Sequence, residues 1–128
     1  MKMLVQALAI GGAGFVGAVA RWVIVLLIGR VFQRQFPLGT LLINVSGSFF
    51  LGWFVTFVTF RYPVSDTLRT AIATGFVGAY TTFSTYMLES NNLFQEGAQI
   101  EAWANLIGSL VLGMAAVKLG VILGGGGA

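Results

Sequence analysis

Apolar residues gather in four windows, each long enough to cross a bilayer as a helix, which takes about 20 residues. They run from Leu4 to Val31, Thr40 to Phe60, Thr67 to Phe94 and Ala102 to Leu123. Polar, turn-forming stretches separate them: GRVFQRQFPLG with Pro37 and Gly39, RYPVSD with Pro63, and QEGAQIE. Proline cannot continue a helix, and Ser65 or Asp66 is a ready N-cap for the third window. The opening MKMLVQALAIGGAGFVGAVA has a lysine and an Ala18-Val-Ala20 ending of the kind that precedes signal cleavage. The apolar run resumes after Arg21 as WVIVLLIG, so the segment reads as one long helix. The pattern predicts a single all-α transmembrane domain over 1–123, with the glycine run over 124–128 as a flexible tail.

Composition changes the picture by exclusion. The chain is 57% hydrophobic and only 9% charged, where soluble domains carry about 25% charged residues. That makes it an integral membrane protein. It has no cysteine and no histidine, which removes disulfides, thiolate metal sites, cysteine nucleophiles and imidazole bases. The carboxylates Asp66, Glu89, Glu96 and Glu101 are scattered without metal-ligand spacing. This composition argues against a hydrolytic or redox enzyme. The net charge of +3 is spread along the chain without a basic block, so nucleic acid is not a partner.

Charge also bears on orientation. An even number of spans puts both termini on one side, with Lys2, Arg61, Arg69 and Lys118. Arg30 and Arg34 lie on the other, and Arg21 lies within the first span. So thin a bias under the positive-inside rule predicts insertion in both orientations. Four helices enclose little interior on their own. Small residues four apart, Ala13 with Gly17, Gly14 with Ala18 and Ala104 with Gly108, suit close helix packing and favour an oligomer.

Polar residues inside the windows carry the candidate chemistry, because such groups face a protein interior or a water path. They are Arg21, Asn44, the TTFST run over 81–85, Glu89, Asn105 and Ser109. Asn44 suits either an interhelical hydrogen bond or a pathway donor. Asn105 and Ser109 share a helix face, as a pore lining or as a packing contact. Gly75, Gly78 and the hydroxyls of Thr81, Thr82 and Ser84 compete with helix geometry in GFVGAYTTFSTYMLE. They predict a non-helical break near Gly78 to Thr81. Broken backbone in a bilayer must be buried in protein or line an aqueous site, where its carbonyls can hold a cation. Phe83 and Tyr86 lie three apart, as do Thr82 and Thr85, giving an aromatic face and a hydroxyl face. Aromatic ring edges are electropositive and can touch an anion, although lipid contact or core packing is the ordinary role of such rings. Glu89 suits proton transfer or a hydrogen bond to a neighbouring helix.

GGAGFVGAVARW, GTLLINVSG and GFVGAYTTFSTYMLE occur in this order, and together they resemble the Fluc (CrcB) family of small fluoride channels over nearly the whole chain. The resemblance implies an antiparallel, dual-topology homodimer in the inner (plasma) membrane, multi-pass and in contact with lipid, with two pores exporting fluoride passively. It implies a structural sodium ion at the dimer centre, held by the main-chain carbonyls of Gly78 and Thr81. It places the pore phenylalanines at Phe83 and Tyr86, the second a departure that adds a hydroxyl. It places the motif asparagine at Asn44 and the fourth-helix polar track at Ser109 and Asn105, the latter where serine is usual. Arg21 falls at the wide, aqueous end of the pathway, and Thr82, Ser84 and Thr85 on its hydroxyl track. Two other readings remain: a small multidrug-resistance-like proton-coupled exporter, which needs a first-span glutamate, and a non-transporting membrane subunit.

Overall fold

The long apolar windows become helices because the bilayer offers their backbone no partner outside the helix itself. The computed structural model describes residues 1–32 and 35–127; Arg34 and Ala128 lie outside them. Helix α1 spans Lys2–Val31 and α2 spans Leu38–Phe60. The third window is a composite of α3 (Asp66–Thr70), a π-helical segment (Ala71–Val77), α4 (Gly78–Tyr80) and α5 (Phe83–Gln95). Helix α6 spans Gln99–Leu123. Among the described residues, α1, α2 and α6 are long and apolar enough to cross a membrane. The chain is a multi-pass membrane protein whose third window is bent and interrupted.

Ser65 caps α3 as expected, its hydroxyl accepting from the Leu68 N–H at 3.3 Å. The break falls at Thr81 and Thr82, later than its predicted centre. Gly78 keeps helical angles (φ −61°, ψ −33°), whereas Thr81 (φ −86°, ψ 161°) and Thr82 (φ −151°, ψ 122°) are extended. A cap fixes that position: Thr82 Oγ1 accepts from the Thr85 N–H at 3.3 Å and starts α5.

Two packed pairs frame the break. Helix α1 lies along the π segment and α4, and α2 lies along α6. The α1 approach is backbone to backbone at Gly17, where a Cβ would collide with the Phe76 carbonyl. That is the use of the Ala13–Gly17 pattern. Ala104 is exposed and Gly108 has open space on its Cβ side, so that pair packs nothing within the subunit. The final glycine run is not loose at its root. Gly125 (φ +100°) ends α6 in a Schellman cap, with Gly126 N–H donating to the Val121 carbonyl at 2.9 Å and Gly125 N–H to Ile122 at 3.2 Å. Gly124 lies against Trp53 and Thr56 of α2. The first residues of the predicted tail, Gly124 to Gly126, thus hydrogen-bond back to the end of α6.

Candidate functional site around the helix break

The break strips donors from two carbonyls. In a continuous helix Thr82 N–H would bond the Gly78 carbonyl and Thr85 N–H the Thr81 carbonyl. Here Thr82 N–H donates to Asn44 Oδ1 at 2.8 Å, and Thr85 N–H donates to Thr82 Oγ1 at 3.3 Å. Asn44 also donates from Nδ2 to the Thr82 carbonyl at 3.0 Å. One side chain of α2 therefore grips both main-chain groups of Thr82. Arg21 Nη1 reaches the Thr81 carbonyl at 3.5 Å. This puts Arg21 against the break, not only at an outer mouth.

A cleft of about 430 Å³ opens on one side of the break, lined by Asn44, Ser48, Thr81, Thr82, Phe83, Tyr86, Ser109 and apolar neighbours. Phe83 is 72% exposed and Tyr86 only 5%; their ring centroids are 6.0 Å apart, tilted by 59°. The Tyr86 hydroxyl donates to the Leu106 carbonyl of α6 at 2.7 Å. The extra oxygen is thereby bound to a neighbouring helix.

Each hydroxyl on this cleft already donates its proton within the protein. Ser48 donates to the Asn44 carbonyl at 2.7 Å, Thr81 to the Val77 carbonyl at 2.9 Å and Tyr86 to the Leu106 carbonyl. Thr82 and Ser109 donate to side chains instead, Thr85 Oγ1 at 3.1 Å and Asn105 Oδ1 at 3.3 Å. These longer bonds are the more easily exchanged. Asn44 keeps a second amide hydrogen beyond the one given to Thr82.

A second cleft of about 430 Å³ holds Arg21, Trp22, Thr40, Thr82 and Thr85. A third, of about 350 Å³, holds Gln35, Thr40, Glu89, Asn92 and Glu96. The first and second share Thr82, and the second and third share Thr40. Polar groups thus continue from the loop after α1 to the Phe83 cleft. Glu89 accepts from Thr40 Oγ1 at 2.8 Å through Oε1, while its buried Oε2 has no partner within the described chain.

Two of the predicted site residues stand apart. Ser84 is exposed on α5 and lines none of these clefts. Asn105 is fully buried between α5 and α6, donating from Nδ2 to Ser90 Oγ at 2.9 Å. The structure also adds Thr40 and Ser48, which sit in GTLLINVSG; four-residue spacing sets Thr40, Asn44 and Ser48 on one face of α2.

A family model described as CrcB-like protein, Camphor Resistance (CrcB), matches residues 8–121. The chain is similar to the "Fluoride-specific ion channel FluC" of Methylococcus capsulatus, 46% identical over 96% of this chain and 53% of that protein, so it spans about half of that relative's length. It is also similar to proteins of the same description from Ruminiclostridium cellulolyticum, 37% identical over 96% of this chain and 95% of the relative, and from Magnetococcus marinus, 39% identical over 95% and 98%.

Proposed function

Since the chain belongs to the CrcB-like family, we infer that it is a passive, fluoride-selective channel that lets cytoplasmic fluoride leave through the inner membrane. The observation that carries the reading is the Phe83 cleft, whose largely apolar walls carry one amide and five hydroxyls and, among the described residues, no charged side chain. Fluoride is small and strongly hydrated, so a path must replace its water with donors without trapping it on a full charge. The spare Asn44 amide hydrogen, the exchangeable hydroxyls of Thr82 and Ser109, and the edges of the Phe83 and Tyr86 rings provide such partners. Arg21 and Thr85, beyond Thr82, draw the anion toward the cleft. Helix α1 carries no carboxylate, which counts against a proton-coupled exporter of the multidrug-resistance-like kind.

The working unit in this reading is an antiparallel homodimer. The Gly78 carbonyl, stripped of its donor inside a bilayer, must be met by protein or by an ion, and the Thr81 carbonyl has only the long contact from Arg21. Exposed Ser46 and half-buried Tyr80, hydrogen-bonded at 2.9 Å beside the break, likewise suit a protein partner better than lipid. The Gly78 and Thr81 carbonyls are hard oxygen donors and fit sodium. With their copies in the partner they would hold it, and the ion would brace the two broken helices. The residues around the cleft bind and orient the anion.

The test is efflux from liposomes containing the purified chain, followed with a fluoride electrode. Rapid fluoride release with chloride retained, and no dependence on a proton gradient, is the expected result. Equal chloride release, proton-driven movement of organic cations or no flux would overturn it.

A further inference from the structure

Hydroxyls in membrane helices usually donate to the carbonyl four residues back. This chain follows the habit at Ser46, Ser48, Thr59, Thr70, Thr81 and Ser90, each bonded to its fourth preceding carbonyl at 2.7–2.9 Å. Ser109 departs from it. Its Oγ donates to the side-chain oxygen of Asn105, at 3.3 Å, instead of to the main-chain carbonyl of the same residue. Asn105 can hold this position because it is itself pinned. It has no exposed surface, and its Nδ2 donates to Ser90 Oγ, which donates in turn to the Tyr86 carbonyl at 2.8 Å. The bonds run in one direction, Ser109 to Asn105 to Ser90 to the α5 backbone, and they fix which way the Asn105 amide faces.

We propose that Asn105 is a positioning residue that keeps the Ser109 hydroxyl off its own helix and so leaves its proton exchangeable at the cleft. A bond of 2.7–2.9 Å to a helix carbonyl holds a proton firmly, whereas a 3.3 Å bond to an amide oxygen is long for a hydroxyl donor and readily traded for an anion. Asn105 does not touch the anion. It differs in this from Ser109, which lines the cleft. The assignment rests on the channel reading above, because it takes the Phe83 cleft to be the anion path.

The experiment measures single-channel conductance against fluoride concentration in planar bilayers for the parent, Asn105→Leu, Ser109→Ala and the double variant. Leucine keeps the branched outline, with bulkier methyls, and removes the amide, so Ser109 falls back onto the residue 105 carbonyl. The half-saturating fluoride concentration rises about three- to tenfold, the range expected for one hydrogen bond of ordinary net strength. Ser109→Ala gives a similar rise, and adding Asn105→Leu to it gives no further change. A purely structural role for Asn105 would shift both backgrounds alike. An unchanged half-saturation in Asn105→Leu, or an equal further shift on top of Ser109→Ala, overturns the proposal. If the leucine variant does not assemble, Asn105→Ser, too short to reach Ser109 Oγ, takes its place with the same expected outcome. A parent chain without fluoride conductance would remove the channel reading together with this assignment.

Discussion

Replacing Asn44 with leucine tests the bond on which the broken segment depends. Leucine keeps the branched outline of asparagine with bulkier methyls, and Asn44 is only half-buried, so α2 can accommodate it. What disappears is the pair of bonds to Thr82, at 2.8 Å to its N–H and 3.0 Å to its carbonyl. The two losses are unequal. Thr82 is the N-cap of α5, so its carbonyl also takes the first intrahelical bond and is not left empty. Its N–H has no such fallback, since the extended angles at Thr81 and Thr82 aim it away from the Gly78 carbonyl. An unsatisfied buried N–H costs about 1–3 kcal/mol and a lost ordinary hydrogen bond about 0.5–1.5 kcal/mol. Together they give about 2–3 kcal/mol of local stability, allowing for the shared carbonyl. At 1.4 kcal/mol per factor of ten, the break opens about 30- to 150-fold more often. Amide hydrogen exchange on the peptide covering Thr82 to Tyr86 reads this directly, with α6 peptides as the internal reference. Equal exchange in parent and variant would refute the idea that Asn44 holds the break. Fluoride flux falls in the same variant, and in Asn44→Asp, where a carboxylate faces the Thr82 carbonyl and the approaching anion.

Three further outcomes follow from the geometry. Tyr86→Phe loses the 2.7 Å bond to the Leu106 carbonyl and about 1 kcal/mol of stability; flux stays within a few-fold of the parent because the hydroxyl is bound to α6, and a collapse of selectivity would contradict that placement. Gly17→Ala forces a Cβ into the Phe76 carbonyl and destabilises by about 1–3 kcal/mol, whereas Gly12→Ala, with open space at its Cβ, is neutral or better; thermal unfolding of the purified variants compares them, and equal loss at both sites would argue against the backbone approach. Exchange of sodium for a large organic cation loosens the dimer, read as monomer appearing in crosslinking; a dimer indifferent to sodium would remove the ion from the Gly78 and Thr81 carbonyls.

The spans were legible because the bilayer leaves so few choices. An apolar window of this length must be a helix, and Pro37, Pro63 and Ser65 mark where helices stop or start. The break was legible in kind, from the density of hydroxyls in TTFST, but its register was not. Glycine suggests a weak point, yet nothing forces Gly78 out of helical angles, and the decision belongs to Thr82, whose side chain can cap a new helix. The π segment over Ala71–Val77 had no local signature. It lies where α1 and the third window meet backbone to backbone, a tertiary contact that no single window reports. Glu89 illustrates the same limit: its partner Thr40 lies in another helix. Spacing of four places Asn105 and Ser109 on one helix face and predicts one polar stripe. Spacing says nothing of what that face meets, and a small rotation leaves Ser109 at the cleft while Asn105 is sealed beneath α5.

That rotation bears on how a cleft rich in hydroxyls avoids becoming a trap. If Ser48, Thr81, Thr82, Tyr86 and Ser109 all aimed free protons at one point, a fluoride there would be held too tightly to leave. The chain instead commits those protons to its own acceptors. An anion therefore gains a hydroxyl donor only by displacing an existing bond, and the net gain is the difference between two hydrogen bonds, not the whole of one. The displacement is easiest at Thr82 and Ser109, whose protons rest on other side chains, and hardest where a helix carbonyl would lose its hydroxyl. Conduction needs binding strong enough for entry and weak enough for exit. With this cleft as the proposed anion path, graded, pre-committed hydroxyls beside the spare Asn44 hydrogen would meet both demands, with no charged side chain among the described residues that line it.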